Sequence, residues 1–373
     1  MVIMNPKETL WFVGKCLSLS NHPERASFIR AIFQSGKLNL NSFVYQSSNQ
    51  LIIPALYLNL QRNKLLEELP EDLIAHLEEI RNLNRERNQS ILNQLKNLTK
   101  LLNENNINPV YIKGTAHLLD GLYEDIGERM IGDIDFILEE EEAYKAYHLL
   151  IEKGYTTLSD YAKAELGEGK HLPRIVNKDE IAAVEVHGKL LKGKYHKLFN
   201  WNHIRNNIKE SKSLKGAYVL SDSDLILNNI FNVQLNDDGK WMLRSFLRQS
   251  YDLMLLSKRR NPLEVCKSYG QEFNTLNTYL ALSADMLDYP ESLKFENNRK
   301  TKRHLWKIGF IWKYPSLVRS ARLVYYILFR IYRYFKTAIL FFFDSKTRKR
   351  VINSLSNRSY YKAHFQQYKA WFS

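Results

Sequence analysis

The sequence predicts an α+β fold, a mixed sheet flanked by helices with helical N-terminal and C-terminal regions. Three observations lead there. Apolar residues recur at helical spacing through the first 105 residues, the period shortens to two between about 110 and 187, and helical spacing returns from 222. A chain of 373 residues is long enough for two or three compact units. Four segments are expected: a helical region over 1–105, a mixed core over 106–215, a helical region over 216–298 and a basic aromatic helical tail over 299–373.

In the first region the apolar run 51–60 precedes a stop and restart at 69–73. There Pro70, followed by Glu71 and Asp72, suits the first turn of a helix. Ile91, Leu95, Leu98 and Leu102 fall at i, i+4, i+7 and i+11, which predicts one long helix ended by the polar cluster 103–109. Residues 110–112 read as a short strand running into the turn Lys113-Gly114-Thr115. A helix of about two turns through Leu118, Leu119 and Leu122 follows, until Gly127 breaks the pattern. Residues 131–138 alternate as a strand, 139–153 are helical and closed by Gly154, and 155–158 read as another strand. Residues 172–176 and 181–187 predict a hairpin joined by 177–180. Later helices are expected over 225–235, 240–257 and within 262–287, and the charged stretch 296–303 as a linker to the tail.

Composition narrows the class. Hydrophobic residues make up 45% and charged residues 25%, the balance of a soluble globular protein. Only two cysteines occur, Cys16 and Cys266, with no metal-ligand spacing. They argue against a disulfide framework or zinc site and fit a reducing cytoplasm. The N-terminus lacks the features of a secretory signal, and no apolar stretch reaches the roughly 18 residues of a spanning helix. The expected location is therefore cytoplasmic, with peripheral membrane contact left open. The net charge of +14 is uneven: residues 300–373 hold 17 Lys or Arg against one acid, Asp344, a net +16, which leaves −2 for the first 299 residues. That nearly neutral body argues against phosphate-backbone binding, so nucleic acid is the disfavoured partner.

The chemistry-bearing residues lie in the alternating segments. On a strand, Asp133 and Asp135 project to one face while Ile134 and Phe136 face the other. Two adjacent carboxylates repel, and a divalent cation such as Mg2+ or Mn2+ removes the conflict. Glu185 and His187 also share a face; if their strand pairs beside 131–138, Glu185 completes a three-acid metal site, with His187 as a second-tier candidate. Lys113, Gly114 and Thr115 form the expected phosphate side: close backbone approach at the glycine, a hydroxyl donor, a point charge and a helix N-terminus. Arg129 is a further candidate phosphate ligand.

Lys113-Gly114-Thr115, Tyr123, Gly127 and Arg129, Asp133-Ile134-Asp135, Gly154-Tyr155 and Glu185-Val186-His187 together resemble the nucleotidyltransferase superfamily related to DNA polymerase beta. They are most similar to its branch of uncharacterised nucleotidyltransferases. The resemblance spans about residues 40–290 and is most specific over 110–187. It implies a nucleotidyltransferase-type mixed sheet, Gly114 and Thr115 on phosphate, Asp133 and Asp135 on both metal ions, and Glu185 on the metal near the acceptor. This chain departs from that pattern in carrying Thr115 after the glycine, in the long interval from Gly114 to Asp133, and in placing Asn228, Asn229 and Asn232 where the branch carries histidines. Arg248 and Asp252, an i, i+4 pair, are read either as matching a polar pair of the branch or as a salt bridge.

The expected function is divalent-metal-dependent transfer of a nucleoside monophosphate from a nucleoside triphosphate to an unidentified hydroxyl or phosphate acceptor, releasing pyrophosphate. The alternative is a non-catalytic nucleotide-binding or membrane-surface-associated scaffold. In the tail, Arg319, Arg322, Arg330 and Arg333 share one helical face among many aromatic and aliphatic residues. Three readings follow: docking on the body, contact with an anionic membrane or acidic partner, or nucleic-acid binding.

Overall fold

The computed structural model describes residues 3–157, 169–239 and 246–355. They form two units, the first running to Lys313 and the second beginning at Tyr314.

The first unit opens with five helices: α1 (Pro6–Leu17), α2 (Ala26–Gln34), α3 (Leu40–Asn49), α4 (Ile53–Arg62) and α5 (Glu71–Glu104). Asn5 caps α1 reciprocally. Its side chain accepts from the Glu8 amide at 3.0 Å, and the Glu8 carboxylate accepts from the Asn5 amide at 2.9 Å. Gly14 lets α1 cross a neighbouring helix closely, because a Cβ there would lie 1.9 Å from the Met286 carbonyl oxygen. Ile91, Leu95, Leu98 and Leu102 are all buried on one face of α5, as their spacing predicts.

A seven-stranded mixed sheet follows, in the order β3-β4-β5-β2-β1-β7-β6. Its strands are β1 (Val110–Tyr111), β2 (Asp133–Ile137), β3 (Thr156–Thr157), β4 (Ile175–Val176), β5 (Ala183–His187), β6 (Lys209–Glu210) and β7 (Tyr218–Val219). Helix α6 (Lys113–Leu119) links β1 to β2, α7 (Glu140–Glu152) follows β2, and the short α8 (Trp201–Ile204) precedes β6. Gly154 takes the left-handed backbone, φ +90°, that ends α7 where the sequence places the stop. The expected hairpin forms as β4 antiparallel to β5. Of the strand expected at 155–158, Thr156–Thr157 pairs with β4, and Leu158 lies outside the described residues.

The centre of the sheet positions the chemistry. β2 and β5 run parallel, with Asp133 opposite Ala183, Asp135 opposite Glu185 and Ile137 opposite His187. Ile134, Phe136, Val184 and Val186 occupy the other face and are fully buried. Each such side chain stabilises the fold by about 1.5–3 kcal/mol relative to exposure, and together they hold the register that brings the acids opposite one another.

Helices return with α9 (Asp222–Phe231), which runs into a wider π turn at Asn232–Asn236. Then come α10 (Leu247–Ser257), α11 (Pro262–Lys267) and α12 (Phe273–Met286). Residues 240–245 of the expected helix over 240–257 lie outside the described residues. The charged stretch at 296–303 continues into α13 (Arg299–Lys313), which buries Thr301 and Ile308 within the first unit. The second unit contains α14 (Pro315–Phe343) and α15 (Ser345–Leu355). No helix of the described residues is long and apolar enough to cross a membrane.

Candidate active site

β2 begins at the site because the loop before it is clamped. The long helix α5 turns polar residues inward at this level. Asn84 donates to the Gly127 carbonyl at 2.6 Å, and Asn88 to the Arg129 carbonyl at 2.8 Å. Gln94 exchanges two hydrogen bonds with Ala182, at 2.8 and 3.0 Å, fixing the start of β5. A Cβ at Gly127 would meet Arg85 Cβ at 2.8 Å, so the glycine that breaks the helical pattern also admits this close approach.

On the open face of the sheet Asp135, Glu185 and His187 converge, their candidate ligand atoms all within 4.8 Å of one another. His187 Nε2–H donates to Asp135 Oδ1 at 2.9 Å and lies 3.5 Å from Glu185 Oε2. The Lys113 ammonium pairs with Asp135 and stands 3.6 Å from Glu185 Oε2. Burial raises the Asp135 carboxyl, but Lys113 and His187 outweigh it and hold that carboxyl well below the usual carboxylate range. Burial also opposes ionisation of Glu185, and the His187 hydrogen bond with the Lys113 charge reverses the balance, so its value falls too. Burial disfavours the Lys113 ammonium, yet Asp135 and Glu185 raise its value above that of a free lysine.

Asp133 shares this face, but its carboxylate pairs with Arg174. Only part of the predicted trio of acids therefore converges on one point: Asp135 and Glu185 meet, His187 joins them, and Asp133 lines the same cleft.

The predicted phosphate turn takes a different form. The left-handed residue is Lys113, at φ +56°, rather than the glycine, and α6 starts at Lys113 itself. A lysine in that conformation stores about 1–3 kcal/mol of backbone strain and aims its side chain at the acids. A Cβ at Gly114 would meet only ordinary contacts, the nearest at 3.5 Å, so what the glycine provides is a bare stretch of cleft wall. Thr115 is fully buried, and its hydroxyl lies between the Asp133 carbonyl at 3.3 Å and the Asp135 amide at 3.4 Å. It latches α6 to β2.

Arg129 is likewise committed. Its Nε and Nη2 donate to Asp252 at 3.0 and 2.8 Å, and Nη1 to the Met130 carbonyl at 2.6 Å. Asp252 thus pairs with Arg129 rather than with Arg248, and the Tyr123 hydroxyl donates to it as well. His117 Nε2 lies 3.9 Å from Asp252, and burial pushes this histidine down to about 4, so it is neutral at pH 7.

Lys113, Gly114, Arg129, Asp133, Asp135 and Glu185 line a cleft of about 400 Å³ between the sheet face and α9 and α10. Asn228, Asn229 and Asn232 form its helical wall, where the resemblance led one to look for histidines. Two cations there were not anticipated as ligands on their own. Lys170 donates to Asn232 Oδ1 at 3.0 Å and is lowered to about 8 by burial and by Lys113. Arg248, lowered to about 10 by burial and by Arg129, donates to the Met130 carbonyl at 3.2 Å. His171, whose ring centroid is 5.1 Å from that of His187, and Arg174 were also missed. The expected hairpin held their signal, because it sets the approach to β4 alongside β5; His171 bridges His187 there.

A divalent cation suits the donor set. Two ionised carboxylates face one point with His187 beside them, and a positive charge, the Lys113 ammonium, already stands there. Residues 37–283 match the family described as uncharacterised nucleotidyltransferase. No curated protein matches the chain, and no solved structure does.

Proposed function

The chain belongs to the family of uncharacterised nucleotidyltransferases, and from that premise we propose that it transfers a nucleoside monophosphate from a nucleoside triphosphate to a hydroxyl or phosphate acceptor in a divalent-metal-dependent reaction. The observation that carries the reading is the pairing of Asp135 with Glu185 across two parallel strands, on a face that opens into a cleft also lined by Lys170 and Arg248. Asp135 and Glu185 would hold the metal ion, Mg2+ or Mn2+, with Asp133 beside them. Such an ion would supply neutralisation of phosphate charge and a more acidic acceptor hydroxyl.

The chain's own residues perform the rest. Lys170 and Arg248, facing the cleft with modest local pairing, attract the triphosphate oxygens, and Lys113 adds its charge at the floor. Gly114 leaves room for the anion against the start of α6. Glu185 accepts the proton of a hydroxyl acceptor at its carboxylate as the acceptor oxygen bonds to the α-phosphorus; a phosphate acceptor attacks through an oxygen that is already ionised. The bond from that phosphorus to the bridging oxygen breaks, and pyrophosphate departs with the electron pair. His187 holds Asp135 in place through its Nε2–H. Arg129 acts indirectly in this reading, fixing the loop before β2 through Asp252.

The test is label transfer. Purified protein is incubated with each α-labelled triphosphate, Mg2+ and a cell extract, and acceptor label and pyrophosphate are followed. Wild type labels an acceptor, and the Asp135→Asn, Glu185→Gln double variant does so at least about 100-fold more slowly. Equal labelling by the two proteins would overturn the proposal.

A further inference from the structure

The tail carries a surface that nucleotidyl transfer does not use. In α14, Leu317, Val324, Leu328, Ile331, Phe335 and Phe342 fall at i, i+7, i+11, i+14, i+18 and i+25, a single stripe along the helix. All six side chains are exposed, Phe335 at 66% and Phe342 at 72%. A row of large apolar side chains in water is costly, at about 25 cal/mol per Å², and marks a surface that meets something. Arg319, Arg322, Arg330 and Arg333 occupy the opposite side of the helix. Residues 315–355 carry nine Lys or Arg against the single acid Asp344.

An independent helix repeats the chemistry. α13, in the first unit, contains six Lys or Arg and no acid. Its exposed side carries Trp306, 71% exposed, stacked on Phe310 with ring centroids 5.8 Å apart. Arg299 and Arg303 continue that face at i−7 and i−3 from Trp306, while Thr301 and Ile308 turn inward. Exposed indole and phenyl rings flanked by cations are the composition of a water–lipid boundary.

We propose that α14 lies in the plane of an anionic lipid surface, its apolar stripe among the acyl chains and its arginines reaching up to the headgroup phosphates. Two other occupants fit less well. A second copy of the helix would confront charges of one sign, and the positions beside the stripe, Ile327, Tyr334 and Ile339, are apolar where a paired helix carries partner-selecting charges. A nucleic acid would engage the arginine side and leave the apolar stripe in water. Because no helix of the described residues can cross a bilayer, the association is interfacial.

The experiment floats the full chain with two kinds of vesicle: phosphatidylcholine alone, and three parts phosphatidylcholine to one part phosphatidylglycerol. The wild type should float with the anionic vesicles, at least about tenfold less with the neutral ones, and less again at about 0.5 M salt. Leu328→Glu with Phe335→Glu should abolish flotation. Arg330→Gln with Arg333→Gln should weaken it by about 25-fold, at roughly fivefold per charge. The proposal is overturned if the wild type does not float, if neutral vesicles serve equally well, or if the apolar-face variant floats like wild type. It is also overturned if gel filtration shows that this variant converts a dimer to a monomer while neither protein floats, since the stripe is then covered by a second copy. Retention of RNA by a wild type that ignores vesicles would equally contradict it.

Discussion

Replacing Asp252 with asparagine leaves the Arg129 guanidinium buried without its counter-charge. The two side chains are 10% and 1% exposed and meet through two parallel hydrogen bonds of 3.0 and 2.8 Å. With charge centres about 4 Å apart and an effective dielectric of about 20, their attraction is about 4 kcal/mol. That agrees with the roughly 3–5 kcal/mol lost when one partner of a buried ion pair is removed. Equilibrium urea unfolding followed by circular dichroism should therefore show Asp252→Asn less stable by about 3–5 kcal/mol. Arg129→Met should cost a comparable amount, and the double variant less than the sum of the two. Asp252 also has a sign-specific signature. Burial favours its neutral form, but Arg129 holds its folded value below the usual carboxylate range. The stability it contributes is thus present above about pH 4, the unfolded value, and lost as pH falls through the folded one, so the gap between wild type and Asp252→Asn should narrow in acid. If Asp252→Asn is within about 1 kcal/mol of wild type and Arg129→Met instead raises only the KM for triphosphate, the structural assignment of Arg129 is refuted.

Two further substitutions probe the packing of the first unit. Gly14→Ala places a Cβ 1.9 Å from the Met286 carbonyl oxygen, a backbone contact that cannot rotate away, and should destabilise the first unit by about 3 kcal/mol in the same urea assay. His117 is lowered from its ordinary value to about 4, chiefly by burial, so the unfolded chain binds a proton that the folded chain refuses between about pH 6.5 and 4. Stability should fall across that window by about 3 kcal/mol as pH drops, and His117→Gln should flatten the slope; an unchanged slope would contradict this.

The alternating segments were legible because both faces of the central strands have strong requirements. Ile134, Phe136, Val184 and Val186 must be buried, so Asp133, Asp135 and Glu185 are forced onto the other face together. The resemblance carried the family, which the match over residues 37–283 then showed. Other features rest on long-range partners that no local pattern encodes. Arg129 meets Asp252 from 123 residues away. Asn84, Asn88 and Gln94 on α5 look like a solvated face in sequence, yet are buried against the loop and strand they clamp. The left-handed backbone at Lys113 is another such feature, since the two carboxylates its ammonium faces lie on strands further along the chain. The ion pair of Arg174 with Asp133 likewise joins residues far apart in sequence, and no local pattern announces it.

The central claim concerns Asp135 and Glu185, and it can be measured without knowing the acceptor. Mn2+ bound to the full-length protein in the presence of a non-hydrolysable triphosphate can be counted from the loss of the free Mn2+ electron paramagnetic resonance signal. Wild type should bind Mn2+ at least about tenfold more tightly than the Asp135→Asn, Glu185→Gln double variant, since losing even an outer partner of a metal ligand costs roughly 10–100-fold in affinity. Indistinguishable Mn2+ binding by the two folded proteins would contradict the account.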